Sequence, residues 1–384
     1  MKLKKKILGA LSAGALMAGG LVVIASQSAY ALTTISVSTN ADAGAGSLRQ
    51  AFIDASSGGS AAGDDVEIDI PASVGTITLS TGELLYDGGN GGSHTLTLRG
   101  NGNTIRQTTA NARVINDTAR TLFTMDGLTI TGGTTTGSEA GAGIRVEGAA
   151  TITNSTISGN NSGEAAGGLR VSNGALILTN STISGNTAIG SDGGAFVNGP
   201  ATIRNSTISG NDAGAGTGGG IEVNGAVSLV YATLSGNSAA SGANVRVKEA
   251  GITSFGSVIA LPQGDGTNCS SDVATVTNGF NWDDDGSCGF GSGTGDHSDA
   301  GNPQLGALGA NGGPTQTRLP QTGSPLIDAI PAGSCQADGA SGITTDQRGI
   351  TRPQQAGCDI GAVEVVVEAA PAAKPVVVAP TLTG

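Results

Sequence analysis

The sequence predicts an all-β fold: a right-handed parallel β-helix solenoid with a short N-terminal capping helix. Two observations carry this. A seven-residue motif, Asn-Ser-Thr-Ile-Ser-Gly-Asn, starts at Asn154, Asn180 and Asn205, with a degraded copy from Tyr231 to Asn237, so the starts are 26, 25 and 26 residues apart. The composition then restricts how a core can be filled. Glycine supplies 66 of 384 residues and aromatic residues only 3%. Branched aliphatics and close backbone packing must do the work that rings do elsewhere, which suits a narrow core built from many short strands. Glycine without an every-third period excludes collagen.

A fixed period near 25 residues admits few architectures. Leucine-rich repeats need a different spacing of leucine and asparagine. Helical repeats fail because Thr, Ile and Val alternate at period two, and Gly and Asn interrupt any helix. Two further elements keep the same step. One is Gly143-Ile-Arg-Val, Gly168-Leu-Arg-Val, Gly194-Ala-Phe-Val and Gly220-Ile-Glu-Val. The other is Ala150-Thr-Ile-Thr, Leu176-Ile-Leu-Thr and Ala201-Thr-Ile-Arg. One repeat is then one coil, and each strand pairs with its equivalent one coil on, at a spacing of about 4.8 Å. Ile144, Ile152, Ile157 and their equivalents point inward. The span 64–260 is assigned to regular coils. About ten coils are expected between residues 64 and 330, a rod on the order of 50 Å.

The last asparagine of each motif, Asn160, Asn186, Asn211 and Asn237, is read as a structural ladder. Asparagine tolerates left-handed backbone and bonds the chain at turns, and stacked amides bond from coil to coil. A glycan-binding row is the alternative. The segments 161–166, 187–192 and 212–217 vary most and are expected to be outward loops.

At the N-terminus, Lys2, Lys4, Lys5 and Lys6 precede an apolar run from Ile7 to Ile24, and Ala29-Tyr30-Ala31 supplies small residues for cleavage. This is the pattern of a secretory signal peptide, residues 1–31, cut after Ala31. An uncleaved membrane anchor is the alternative. Cleavage takes away four lysines and no acid, leaving 14 basic and 30 acidic side chains. So acidic a chain is a poor nucleic-acid binder. No other segment is long and apolar enough to cross a bilayer, so the mature chain has no transmembrane domain and is expected outside the cell or on its surface. Residues 32–63 form a cap region. Within it Ser47–Ala55 reads as a helix capped by Ser47, with Leu48, Ala51, Phe52 and Ala55 on one face. It covers the core that a solenoid would otherwise expose at its end.

All four cysteines, Cys269, Cys288, Cys335 and Cys358, lie in the C-terminal third. Export permits disulfides, and the nearest-neighbour pairing, Cys269–Cys288 and Cys335–Cys358, closes the shortest loops. Residues 261–364 are expected to form irregular coils and a C-terminal cap, and 365–384 a Val-, Ala- and Pro-rich flexible tail. Asp283, Asp284 and Asp285 offer hard oxygen ligands that suit Ca²⁺, although they do not follow the spacing of the helix-loop-helix calcium site. No other cofactor is implied. Leu319-Pro-Gln-Thr-Gly323 matches a sortase pattern, but no hydrophobic run and basic end follow it, so it reads as part of a folded segment.

Several stretches also resemble known families. Thr39 to Phe52, with its Ser47-Leu-Arg, resembles the N-terminal signature of bacterial surface β-helix proteins. Asn281–Phe290, Asn302-Pro-Gln-Leu-Gly, Asn311-Gly-Gly-Pro-Thr, Gly323-Ser-Pro-Leu-Ile-Asp-Ala329, Asp346-Gln-Arg-Gly-Ile-Thr-Arg-Pro353 and Cys358-Asp-Ile-Gly-Ala-Val-Glu364 resemble the choice-of-anchor Q family. The repeats between them resemble the parallel β-helix of pectate-lyase-like folds. The resemblance implies a bacterial surface protein with no catalytic set to carry over.

The residues themselves point the same way. A lyase or glycosidase on this scaffold would need carboxylates converging from adjacent coils. The outward column of the second strand instead runs Arg145, Arg170, Phe196, Glu222, and the position two further on runs Glu147, Ser172, Asn198, Asn224. Glu222 with Asp192 or Asp212 is the isolated candidate. The functional expectation is a non-catalytic exported protein for adhesion, surface display or contact with glycans, cell wall or matrix. A polysaccharide lyase or glycoside hydrolase is the alternative.

Overall fold

The computed structural model describes residues 31–61, 63–88, 94–337 and 340–366. The expected signal peptide, apart from Ala31, and the expected tail beyond residue 366 lie outside them. The chain winds into a right-handed parallel β-solenoid with three sheets. The first has ten strands, from Leu32–Ser36 to Val276–Thr277. The second has eight, from Leu84–Tyr86 to Cys269–Ser271, and the third nine, from Ile77–Leu79 to Trp282–Asp283.

Within a coil the chain visits the second sheet at Ile144–Val146, the first at Ala149–Thr153 and the third at Thr156–Ser158. Equivalent residues pair in register. Ile144 sits against Leu169, Ile152 against Leu178, and Ile157 against Ile183 and then Ile208. All are buried, so alternation along each strand sends one aliphatic column per sheet into a continuous core. The outer segments are more ordered than free loops. Asn161–Ser162 pairs with Thr187–Ala188, and single bridges join Thr187 to Asp212 and Asp212 to Ser238.

Helix α1 spans Leu48–Ala55. Ser47 Oγ accepts the Gln50 N–H, and Leu48, Ala51, Phe52 and Ala55 are buried. It packs beside Leu84–Tyr86, the first strand of the second sheet. Arg49 has a separate task. It donates to Asp42 Oδ1 and to the carbonyls of Gly82 and Glu83, tying the helix to the next coil. Burial opposes the Asp42 charge, but the Ser80 N–H and Arg49 outweigh it and hold its pKa down at about 2.

The ladder asparagines are fully buried and bonded end to end. Nδ2 of Asn160 donates to Oδ1 of Asn186 at 2.9 Å, Asn186 to Asn211 at 3.0 Å, and Asn211 to Asn237 at 2.8 Å. The series then continues beyond the repeats, Asn237 to Asn244 at 2.7 Å and Asn244 to Asn268 at 2.6 Å. Left-handed backbone falls elsewhere than expected. Gly159, Gly185, Gly210 and Gly236 adopt it just before the ladder residue, as do the first asparagines of the motif, Asn154, Asn180 and Asn205. A second ladder uses serine: the amides of Ser155 and Ser181 donate to the hydroxyls of Ser181 and Ser206.

The stacked strands begin at Leu32 and end at Asp283, earlier at both ends than the expected span of residues 64–330. The residues that follow do not continue the coils. Thr315, Gln316, Arg318, Thr345, Gln347 and Ala362 bring them along the flank, over the outer face of the third sheet. The Thr182 hydroxyl donates to Gln316 O at 2.6 Å, Thr207 to Gln347 Oε1 at 2.7 Å, and Arg318 Nε to Ser209 Oγ at 2.8 Å. Outward Thr182, Ser184, Thr207, Ser209, Thr233 and Ser235 are therefore buried, whereas Thr156 and Ser158 stay half-buried. The Leu319-Pro-Gln-Thr-Gly323 stretch enters this segment through the strand Thr317–Pro320, which pairs antiparallel with Leu305–Gly309. Two disulfides join Cys269 to Cys288 and Cys335 to Cys358. Arg352 pins the segment. It is fully buried, donates to Glu364 Oε1 at 2.8 Å, and lies 4.0 Å from the Tyr231 ring centroid, while the Tyr231 hydroxyl donates to Cys335 O.

Two outcomes follow. Asn211→Ala removes the donor to Ile183 O and leaves two Asn186 donors without their acceptor, so urea unfolding should show a loss of about 3 kcal/mol; a loss under about 1 kcal/mol contradicts the ladder's role. Arg352→Met leaves Glu364 buried without its cation, at a cost of about 3 kcal/mol. Limited proteolysis should then cut within 301–364 while the coils remain intact, and equal resistance of the two regions contradicts this.

Candidate functional site

Three polar clusters stand out from the repeating scaffold. The first is a groove of about 540 Å³ on the outer face of the second sheet, where Glu83, Arg113, Asn116, Arg145 and Arg170 are flanked by Glu139 and Glu164. Strand alternation places Asn116, Arg145 and Arg170 in one outward column, with Phe196, Glu222 and Arg246 following on successive coils. Arg113 is nearly buried and lies 3.4 Å from Glu83 and 3.6 Å from Glu139, while its Nε donates to Ala140 O. Asn116 Nδ2 donates to Glu83 at 2.8 Å, and Arg145 pairs with Glu147. Arg170 lies over the Phe196 ring, 5.2 Å from its centroid, with no carboxylate in ion-pair range among the described residues. The groove thus presents fixed donors and acceptors whose charges are largely paired.

The second cluster is Asp283, Asp284 and Asp285, which offer oxygen atoms within 4.8 Å of one another. Such a group could coordinate a divalent cation. The structure also shows what these oxygens do already. Asn268 Nδ2, the last amide of the ladder, donates to Asp283 at 2.9 Å and to Asp284 at 2.6 Å. Asp283 accepts from Cys288 N, Asp284 from Leu261 N, and Asp285 from Asn268 N and from Ser287. Every carboxylate oxygen of the three has a donor, so a cation would compete with the end of the ladder. Burial pushes the Asp283 carboxyl up to about 6, against the lowering effect of the Cys288 N–H. His297, close in sequence, stacks on Trp282 at 5.0 Å between ring centroids and is not part of the cluster.

The third cluster was visible in the sequence only as a pair of acids at unknown distance. Asp192 and Glu222 are 3% and 2% exposed, and they lie side by side next to Gly218. Lys248 Nζ pairs with Glu222 Oε1, and the Thr217 hydroxyl donates to Glu222 Oε2. Asp192 Oδ2 accepts from Ser191 at 2.9 Å, while its buried Oδ1 has no hydrogen-bond partner. Burial, and next the Glu222 charge, raise the Asp192 pKa well above the carboxylate range. Asp212, the other acid considered with Glu222, lies instead in the outer bridge column.

No family model, curated protein or solved structure matches the chain. The fold is that of a right-handed parallel β-solenoid, consistent with pectate-lyase-like scaffolds. Among the described residues no helix is long and apolar enough to cross a membrane.

The Asp283 carboxyl gives a pH signature. Its folded value, about 6, exceeds the ordinary 3.8, so its favourable contribution is complete below the ordinary value and is lost as pH rises through the folded one. The Tm of the wild type minus that of Asp283→Asn should therefore fall between pH 4 and pH 7 by thermal unfolding; a difference that is flat or grows with pH is the contrary result.

Proposed function

We propose that this chain is a non-catalytic exported solenoid that contacts glycans of a wall or matrix along the outer face of its second sheet. The observation that carries this reading is the groove around Arg113 and Arg145. Two of its three lining carboxylates, Glu83 and Glu139, are engaged by the Arg113 guanidinium, and its Arg145 is held by the neighbouring Glu147. Paired in this way, the carboxylates serve better as oriented hydrogen-bond acceptors for hydroxyls than as free proton carriers. Phe196, next along the column, adds a ring face. Export is supported by the basic and apolar N-terminal segment and by the two disulfides. The stretches resembling the choice-of-anchor Q family fit the same surface location. In this reading Asp283–Asp285 terminate the ladder, and Ca²⁺ enters only by displacing donors.

An array of neutral and acidic wall glycans tests the proposal. Binding should appear without turnover, and Arg145→Gln should weaken it roughly tenfold through loss of a charge-assisted hydrogen bond. A depolymerisation screen with and without Ca²⁺ should stay negative. Metal-dependent cleavage lost on Asp283→Asn or Asp285→Asn would establish the enzymatic alternative.

A further inference from the structure

Repeat proteins allow departures to be seen against a local standard. The left-handed corner before each second-sheet strand is Gly141, Ala166, Asp192, Gly218 and Gly242, all with positive φ. Only one of these coils puts a charged side chain there, although a residue with a Cβ is strained in that conformation. The outward column is Arg145, Arg170, Phe196, Glu222 and Arg246, with a single acid. The column two residues on is Glu147, Ser172, Asn198, Asn224 and Lys248, with a single amine. Those three departures come from three different coils, yet they gather in one place: Lys248 on Glu222, with Asp192 beside Glu222 at the Gly218 corner. Nothing in the stacking of the solenoid requires them.

We infer that Lys248 and Glu222 form an intramolecular isopeptide bond, with Asp192 as the catalytic proton carrier. The Nζ atom of Lys248 is already in contact with the Glu222 carboxyl, so attack needs no search and the step is effectively unimolecular. Nζ attacks Cδ of Glu222, the Nζ–Cδ bond forms, and one Cδ–O bond breaks. Of the three ammonium protons one stays on the amide nitrogen and two leave with the displaced oxygen as water. No oxidant, cofactor or external group is consumed. Asp192 lies beside Glu222, next to Gly218, and burial and the Glu222 charge disfavour its ionised form, so it is placed to give a proton to the leaving oxygen and take one from nitrogen. Thr217 holds the other Glu222 oxygen. The product would tie the strand Ile221–Val223 covalently to the end of the strand Val245–Val247 and would replace an ion pair between a buried carboxylate and a partly exposed amine by a neutral amide.

Intact-mass measurement of the full chain, with disulfides reduced, decides the matter. The expected mass is below that of the sequence by one water, and trypsin should release Asn205–Arg246 joined to Val247–Arg318, uncut at Lys248. Lys248→Arg, which keeps the charge, should restore the full mass. Asp192→Asn should restore it wholly or in large part. A wild-type chain at the unmodified mass, with free Lys248, overturns the proposal. Complete water loss in the Asp192→Asn protein overturns the role given to Asp192.

Discussion

The buried amide ladder is the constraint on which the rest of the solenoid depends. An aliphatic core is tolerant of sliding, because Ile against Leu packs about as well as Ile against Ile. A buried amide is not. Asn186 has two N–H groups and an oxygen in a waterless interior, and leaving them unpaired costs more than pairing them gains. Its carbonyl oxygen takes the amides of Asn160, and its own Nδ2 reaches Ile157 O and Asn211. Only one register satisfies all of these. A slip of one residue would face each asparagine outward and strand its partners. The ladder therefore converts a permissive stack into a single arrangement, and it places every outward side chain of the coil by the same act.

A ladder of donors and acceptors needs an end. Each asparagine passes a donor to the next coil, so the final one must meet a group that accepts without donating onward. Asn268 meets Asp283 and Asp284. The three aspartates, which look like a cation site in isolation, follow from the ladder's direction. The Cys269–Cys288 disulfide fixes the same turn, since Cys269 and Cys288 flank the atoms that close the ladder.

How much of this could be read beforehand depended on periodicity. The strands, the inward columns and the ladder positions from Asn160 to Asn237 repeat, and repetition exposes them. The capping of α1 by Ser47 was legible because it is local. Asn244 and Asn268 extend the ladder outside the motif and carried no signal, since their partners are set by winding rather than by sequence neighbours. The αL corners at Asn154 and Gly159 were misplaced by one end of the motif, because Asn suits both a corner and a buried amide. The lateral course of the C-terminal segment was the largest surprise. Its contacts, such as Gln347 with Thr182 and Thr207, join residues far apart in the chain, and no local pattern announces them.

That lateral course also explains why the polar clusters sit where they do. The third sheet presents threonine and serine columns, neutral hydroxyls that a covering segment can engage through Gln347, Arg318 and backbone carbonyls. The second sheet presents Arg145, Arg170, Glu222 and Arg246, and burying such a column under a segment of its own would demand a countercharge for each. The chain accordingly covers the face that is cheap to desolvate and leaves the charged face open. The ladder has already fixed the spacing of that open face, one side chain per coil. Groups on neighbouring coils, Arg170 with Phe196 or Glu222 with Lys248, are thereby held within reach of each other without any loop having to order itself. The division of labour in the sequence is then physical: inward columns and the ladder define the solenoid, and departures in the outward columns are free to carry chemistry.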